Sequence, residues 1–288
     1  MLKRTPVSPD LWAAVHARLP IIAGLDAAND LLLQQRSLLF LAHKRITLLG
    51  NLILDDVDRL ALAAQAVFPL LSLPDQNWYR GFHEVILYPQ DFASPQRYRD
   101  EVGVEHEELN ELSGEAWVQG PVIMAWSGIQ ESGDWTGYNL VIHELMHKID
   151  MLRGEANGLP PLHREMSVAD WAFTLQSAYD DLNQRLETAS EDEAPIDPYA
   201  AEHPAEFFAV CCEYFFSAPA VLDAAYPDVL CTIASFLPPG SAAQMASNNL
   251  TESRYLKPLQ LLWAHQVQLD GLQARPRETP ANVPACQT

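Results

Sequence analysis

Along most of the chain apolar residues recur at three- and four-residue intervals, which predicts a mostly helical protein. A first helix, residues 9–18, opens at Ser8, a residue type that caps helix N-termini. A stronger one covers 26–46, where Leu31, Leu32, Leu38, Leu39 and Leu41 supply a wide apolar face. A third, 55–68, carries Asp55, Asp56 and Asp58 in its first turn, where the helix dipole favours acids. Pro69 and Pro74 end this region, so residues 1–75 read as a helical structural layer. Residues 83–88 then read as a strand closed by Pro89, and 118–126 as a second, with Val122, Ile123 and Met124 after Gly120 and Pro121. Proline in such a run points to a sheet edge, where a substrate backbone could add as a further strand.

Gly128, Gly133 and Gly137 mark a loop into a helix over 139–150. Leu140, Val141, Ile142, Leu145, Met146 and Ile149 make that helix apolar over most of its circumference, so it should be buried. Beyond a loop at 154–161, Ser167 caps an amphipathic helix with Val168, Trp171, Leu175, Tyr179, Leu182 and Leu186 on one stripe, a core face. A polar, acidic loop at 187–198 precedes a helix over 205–217 opened by Pro204. A last helix is expected at 258–269 and a disordered tail at 271–288. The expectation is an α+β fold, mostly helical, with a small sheet just before the central helix, in one domain over 1–270.

Charge narrows the partners. With 18 Lys+Arg against 38 Asp+Glu the net charge is −20, which disfavours phosphate backbones and anionic membranes as partners. Residues 100–111 hold six carboxylates, no Lys or Arg, and His106; they read as a solvated surface turn or helix. Such an acidic face also suits a basic partner or a cationic substrate end. The four cysteines have no paired spacing and the N-terminal run is no secretory signal, so reduced thiols and a cytoplasmic location are expected. No run approaches the length of a membrane span.

The chemistry sits in the central helix. It carries the pattern His-Glu-x-x-His at His143, Glu144 and His147. Residues four apart on a helix point the same way, so the histidines can chelate one zinc ion, with Glu144 beside them as a base acting on water. A catalytic zinc takes three protein ligands and an open position. A metzincin continuation would put Gly at 150 and His at 153, but the chain has Asp150 and Arg153. The helix over 205–217 is apolar almost all round yet holds Glu206 and Glu213 on one face, and buried carboxylates need partners. Glu206, in the first turn where the chain enters the core, is the candidate third ligand, and the deeper Glu213 is better suited to holding a ligand histidine; arginine partners for both are the alternative. A structural zinc is disfavoured, since such sites take four ligands, mostly cysteine.

Several segments, taken together, resemble the Mlc titration factor A (MtfA) family of zinc peptidases. They are residues 143–150, 196–201 (Ile-Asp-Pro-Tyr-Ala-Ala), 204–210 (Pro-Ala-Glu-Phe-Phe-Ala-Val), 85–89, 117–122 and 213–216. The resemblance runs from about residue 25 to about 238 and leaves 240–288 without a counterpart. It implies a zincin-like site of gluzincin type, with one zinc per chain on His143, His147 and Glu206 and with Glu144 as general base. It further implies that Tyr199 hydrogen-bonds the developing oxyanion and that His106 lies near the metal. Aminopeptidase-like hydrolysis of small peptides follows from the resemblance. So does a rival function: binding a glucose-responsive transcriptional repressor, with the zinc site latent or regulatory. One departure is His203, standing where Ser, Asp or Asn is the usual helix cap.

Overall fold

The structure, a computed structural model, describes residues 7–73, 78–99, 105–112, 114–116, 120–188 and 193–238; for 92–99, 105–112, 115 and 116 it describes the backbone. The chain divides into Met1–Thr251 and Glu252–Thr288, and every described residue belongs to the first. The predicted helix at 258–269 and the tail at 271–288 lie outside the described residues.

Helices begin where the sequence carries caps. The Ser8 hydroxyl accepts the Leu11 amide at the start of α1 (Pro9–Arg18). Asp26 accepts the Ala28 and Asn29 amides at the start of α2 (Ala27–His43). Asp55 and Asp58 form a reciprocal capping box on α3 (Asp56–Val67).

Helix α2 stops earlier than its sequence predicts. The chain leaves it at Lys44, whose ammonium donates to the carbonyls of Tyr79 and Phe82, each at 2.6 Å. Arg45–Leu48 then forms strand β1, in parallel register with β2 (Glu84–Tyr88), Ile46 opposite Val85. Pairing with a distant strand overrides the local helical pattern here. The inner face of α2 also differs from the leucine face read in sequence: Leu33, Ser37 and Phe40 are buried, while Leu31 and Leu39 are exposed.

The main sheet has the order β1–β2–β6–β5. Its first three strands are parallel; β5 (Gly114–Ala116) closes the edge antiparallel to β6 (Val122–Ala125). The strand read over 118–126 is therefore shorter, and it is interior rather than an edge. Pro121 precedes the strand and removes no ladder donor from its middle. Trp126 opens a short helix α4 (Trp126–Glu131) inside the expected loop. A separate two-stranded sheet joins β3 (Phe92–Arg99) to β4 (Glu105–Leu112), antiparallel, pairing Arg97 with Glu107 and Arg99 with Glu105. The acidic run is thus strand from Glu105 onward, not a turn or helix, because it pairs as a hairpin with the preceding strand, whose Arg97 and Arg99 stand opposite Glu107 and Glu105.

The central helix α5 (Leu140–Asp150) is buried along its whole length, as its pattern predicts, and packs against β5, β6, α3 and α7 (Pro204–Ser217). Helix α6 (Val168–Thr188) buries Trp171, Leu175, Ala178 and Leu182; Val168, expected on that stripe, is exposed. A 3-10 turn, Pro198–Ala201, leads into α7, followed by α8 (Pro219–Ala225) and α9 (Pro227–Phe236). Trp171 meets Phe208 of α7 and Phe236 of α9 edge-on, tying the C-terminal helices into one aromatic core. Among the described residues no helix is long and apolar enough to cross a membrane.

Candidate metal centre

Two helices build the centre. At the start of α5 the Asn139 side chain accepts the Ile142 amide at 2.9 Å, satisfying a donor the helix leaves open. Its amide nitrogen reaches across to Gln65 of α3, also at 2.9 Å, so the helix enters the core in a fixed position. His143 and His147 then meet edge-on one turn apart, ring centroids 4.8 Å from each other. At the start of α7 the His203 ring nitrogen accepts the Ala205 amide at 3.1 Å, so this histidine serves as the cap, and Pro204 occupies the position that needs no amide donor. That entry sets Glu206 in the first turn, facing α5.

Nε2 of His143 lies 3.0 Å from Oε2 of Glu206, and Nε2 of His147 lies 3.1 Å from the same oxygen. The two ring nitrogens are 3.1 Å apart. Three donor atoms thus form a nearly equilateral triangle, and the three residues make a group able to hold a metal ion. Ligands about 2.0–2.1 Å from a tetrahedral ion sit roughly 3.3 Å from one another, so the donor set and its spacing fit a divalent metal. Burial would lower the His143 pKa, but hydrogen bonds to Glu206 and Glu213 outweigh it and hold that ring well above its usual range. Burial would likewise raise the Glu206 carboxyl, and the two histidines pull it far below the carboxylate range instead.

Glu213, two turns further along α7, accepts from Nδ1 of His143 at 2.8 Å and from the Asn139 amide with its other oxygen. It is the deeper carboxylate expected to hold a ligand histidine, and both glutamates of α7 meet histidines rather than arginines.

Glu144 is 3 % exposed, and its Oε2 is buried without a hydrogen-bond partner. Burial, opposed by His143 and His147 and reinforced by Glu206 and Glu213, pushes its carboxyl up to about 7. Its other oxygen rests against Gly114 of the edge strand, where a Cβ atom would stand only 2.1 Å away. Tyr199, on the 3-10 turn, is 40 % exposed, with its ring centroid 6.0 Å from that of His143. Partial burial, then Glu206 and Glu202, raise its phenol, so it remains a hydroxyl donor at neutral pH. His106 lies in β4 opposite Tyr98, and its side chain lies outside the described residues.

Three supports escape a reading of the sequence. Gly114 stands in a strand too short to announce itself. Lys148, buried on α5, donates to the Gly120 carbonyl at 2.9 Å and fastens the helix to the approach of β6. Asp150 accepts the Asn157 and Gly158 amides and pins the following loop. Its only signal was an acid at the end of a buried helix, where the dipole disfavours it.

The model of the glucose-regulated metallo-peptidase M90 family matches residues 1–237. The chain belongs to that family. Among its relatives is the Mlc titration factor A of Cronobacter sakazakii, 38 % identical over 223 residues, which is 77 % of this chain and 83 % of that protein. The Mlc titration factor A of Pectobacterium atrosepticum is 39 % identical over 221 residues, 76 % of this chain and 82 % of its own. The protein of that name from Yersinia pestis is 38 % identical over 212 residues, 73 % and 78 % of the two chains. Membership in a metallopeptidase family and the His143, His147 and Glu206 cluster point to the same divalent-metal site.

Proposed function

We propose that the protein is a zinc-dependent metallopeptidase of gluzincin type, with aminopeptidase-like action on small peptides. The observation that carries this reading is the convergence of His143, His147 and Glu206 beside a buried glutamate with one free oxygen. Two imidazoles and one carboxylate, with no cysteine, are the donor set of a hydrolytic zinc rather than a structural one. When bound, the metal supplies a lowered pKa for a water molecule and polarisation of the scissile carbonyl.

The chain's own residues do the rest. Glu213 accepts the Nδ1 proton of His143, which leaves the Nε2 lone pair directed at the metal position. Glu144, its affinity for a proton raised by burial, takes the proton from water and passes it to the leaving amine. Tyr199, held as a neutral phenol, donates its hydroxyl proton in a hydrogen bond to the developing oxyanion. Glu202, exposed and close enough to Glu206 to feel its charge, adds negative potential that suits a substrate's free ammonium end.

Glu144→Gln tests the reading. The variant should bind about one Zn2+ per chain and lose hydrolysis of a fluorogenic peptide panel. A variant that cleaves as fast as wild type rejects the mechanism.

A second reading rests on the relatives' name, which ties those proteins to titration of Mlc. Under it the chain binds a transcriptional repressor and the metal site is regulatory. Co-purification of such a repressor with a His143→Ala variant separates binding from hydrolysis; loss of both in that variant ties them together.

A further inference from the structure

The second half of α3 is buried from Leu60 to Val67 and is apolar at every position but one. The exception is Gln65, 2 % exposed, where a side-chain amide needs a partner to offset its loss of water. Its Oε1 accepts from Nδ2 of Asn139 at 2.9 Å. The loop entering α5 runs tightly over this contact. At Gly133, whose φ is +100°, a Cβ atom would stand 2.5 Å from Cδ2 of Leu19 and 3.5 Å from Oε1 of Gln65. The Gly133 carbonyl accepts the Ile21 amide at 3.2 Å, which fastens the loop to the N-terminal layer.

Asn139 is the residue that Gln65 holds, and Asn139 meets His143 by two routes. Its carbonyl accepts the His143 amide at 3.0 Å. Its own amide donates to Oε2 of Glu213, whose Oε1 lies 2.8 Å from Nδ1 of the His143 ring. Its side-chain Oδ1 accepts the Ile142 amide at 2.9 Å and so caps the helix. With Oδ1 committed to the cap, the NH2 on the other side of the same planar group faces α3, and Gln65 receives it.

A helix cap alone does not explain this glutamine. Serine caps a helix about as well as asparagine and brings no NH2 into the core, so an apolar residue could then stand at position 65. The Gln65–Asn139 pair adds a hydrogen bond between elements instead. That bond fixes the Asn139 carboxamide, and with it the backbone from which both routes to His143 start.

We propose that Gln65 is a positioning residue of the metal centre, acting through Asn139 and Glu213 to hold the His143 ring in place. The proposal rests on the reading of His143, His147 and Glu206 as metal ligands. It makes the N-terminal helical layer the outermost support of the site. The connection runs from Gln65 to Asn139, from Asn139 to Glu213 and from Glu213 to His143.

Two substitutions break the Gln65–Asn139 bond from opposite sides. Gln65→Met keeps the length of the side chain and removes the acceptor. Asn139→Ser keeps a capping oxygen for the Ile142 amide and removes the donor. Zn2+ affinity, read by competition with a chromophoric chelator, should fall in each. The expected loss is roughly three- to tenfold, below the 10–100-fold typical of a direct partner of a ligand, because Gln65 stands two links further out. The double variant should bind Zn2+ about as tightly as the weaker single variant, since both changes remove one interaction. If one single variant does not fold, the affinity of the other decides. Metal-free variants that melt earlier yet keep wild-type Zn2+ affinity would show a purely structural glutamine and overturn the proposal. Losses that multiply in the double variant overturn it too. Wild-type protein that takes up no Zn2+ overturns the ligand reading instead, a result distinct from normal uptake with unchanged affinity in the variants.

Discussion

Nδ1 of His143 and a carboxylate oxygen of Glu213 lie 2.8 Å apart, joining the two helices that also meet through the candidate metal ligands. One helix face thus carries Glu206, which faces the metal position, and Glu213, which orients the ring opposite it. Glu213→Gln keeps the volume but can accept only one of the two protons now directed at it, leaving either His143 or the Asn139 amide unpaired in the core. Removing a partner from a buried, charge-assisted pair costs about 2–4 kcal/mol, and losing the acceptor behind a metal ligand costs about 10–100-fold in affinity. Urea denaturation of metal-free protein and a Zn2+ competition titration measure the two effects. Wild-type values in both would mean that Glu213 does not hold the ring.

Gly114 is the point where the edge strand meets Glu144, the proposed base. A methyl group there would stand 2.1 Å from Glu144 Oε1, so Gly114→Ala forces the carboxylate, the strand or both to move. The ligands themselves are not touched. Peptide hydrolysis should drop by at least about tenfold, since a shift of about 1 Å in a catalytic group has effects of that size or larger. Zn2+ stoichiometry should stay the same. Hydrolysis at the wild-type rate would show that the strand yields without disturbing Glu144.

The burial of Glu144 makes metal-free protein sensitive to pH with a defined sign. Its carboxyl is raised from an ordinary 4.5 to about 7, so between those values the folded state holds a proton that the unfolded state has released. Stability is therefore highest below the lower value and is lost as pH rises through the upper one. Glu144→Gln removes this dependence. At pH 8 the metal-free variant should be more stable than metal-free wild type by about 1–3 kcal/mol, the two converging below about pH 4.5. Thermal melts across that range, with chelator present, give the comparison. A variant less stable than wild type at pH 8 would contradict the buried-charge account.

Tyr199 offers a cleaner separation of catalysis from folding, because its side chain is 40 % exposed. Tyr199→Phe removes one hydroxyl and little packing. If the phenol donates to the developing oxyanion, kcat should fall about 10–100-fold with KM changed by less than about threefold. Melting temperature should be unaffected. An unchanged kcat would remove Tyr199 from the mechanism.

Much of the site is legible from sequence because its geometry is local. The four-residue spacing of His143 and His147 fixes their common face in any helix, and the apolar flanks of α5 require that helix to be buried. Caps at Ser8, the acids opening α3 and the proline opening α7 are likewise short-range, so those helices stand where the pattern predicts. The two glutamates of α7, in a helix apolar almost all round, could be recognised as needing partners, though spacing alone did not settle Glu206 as the third ligand.

What depends on distant neighbours could not be read this way. Strand β1 interrupts a helical pattern because β2 is there to pair with it, and β6 is interior because the three residues of β5 lie outside it. Such short strands have no stability or sequence signature of their own. The approach of Gly114 to Glu144 and the bond between Gln65 and Asn139 exist only once separate segments are packed together. The sequence alone determined that His143 and His147 share one face of a buried helix, since that needs one element and its period. The tertiary structure alone decided that the strand at Gly114 lies against Glu144 and how closely Glu206 and Glu213 approach the two histidines. Those are distances between elements, set by how the whole core packs.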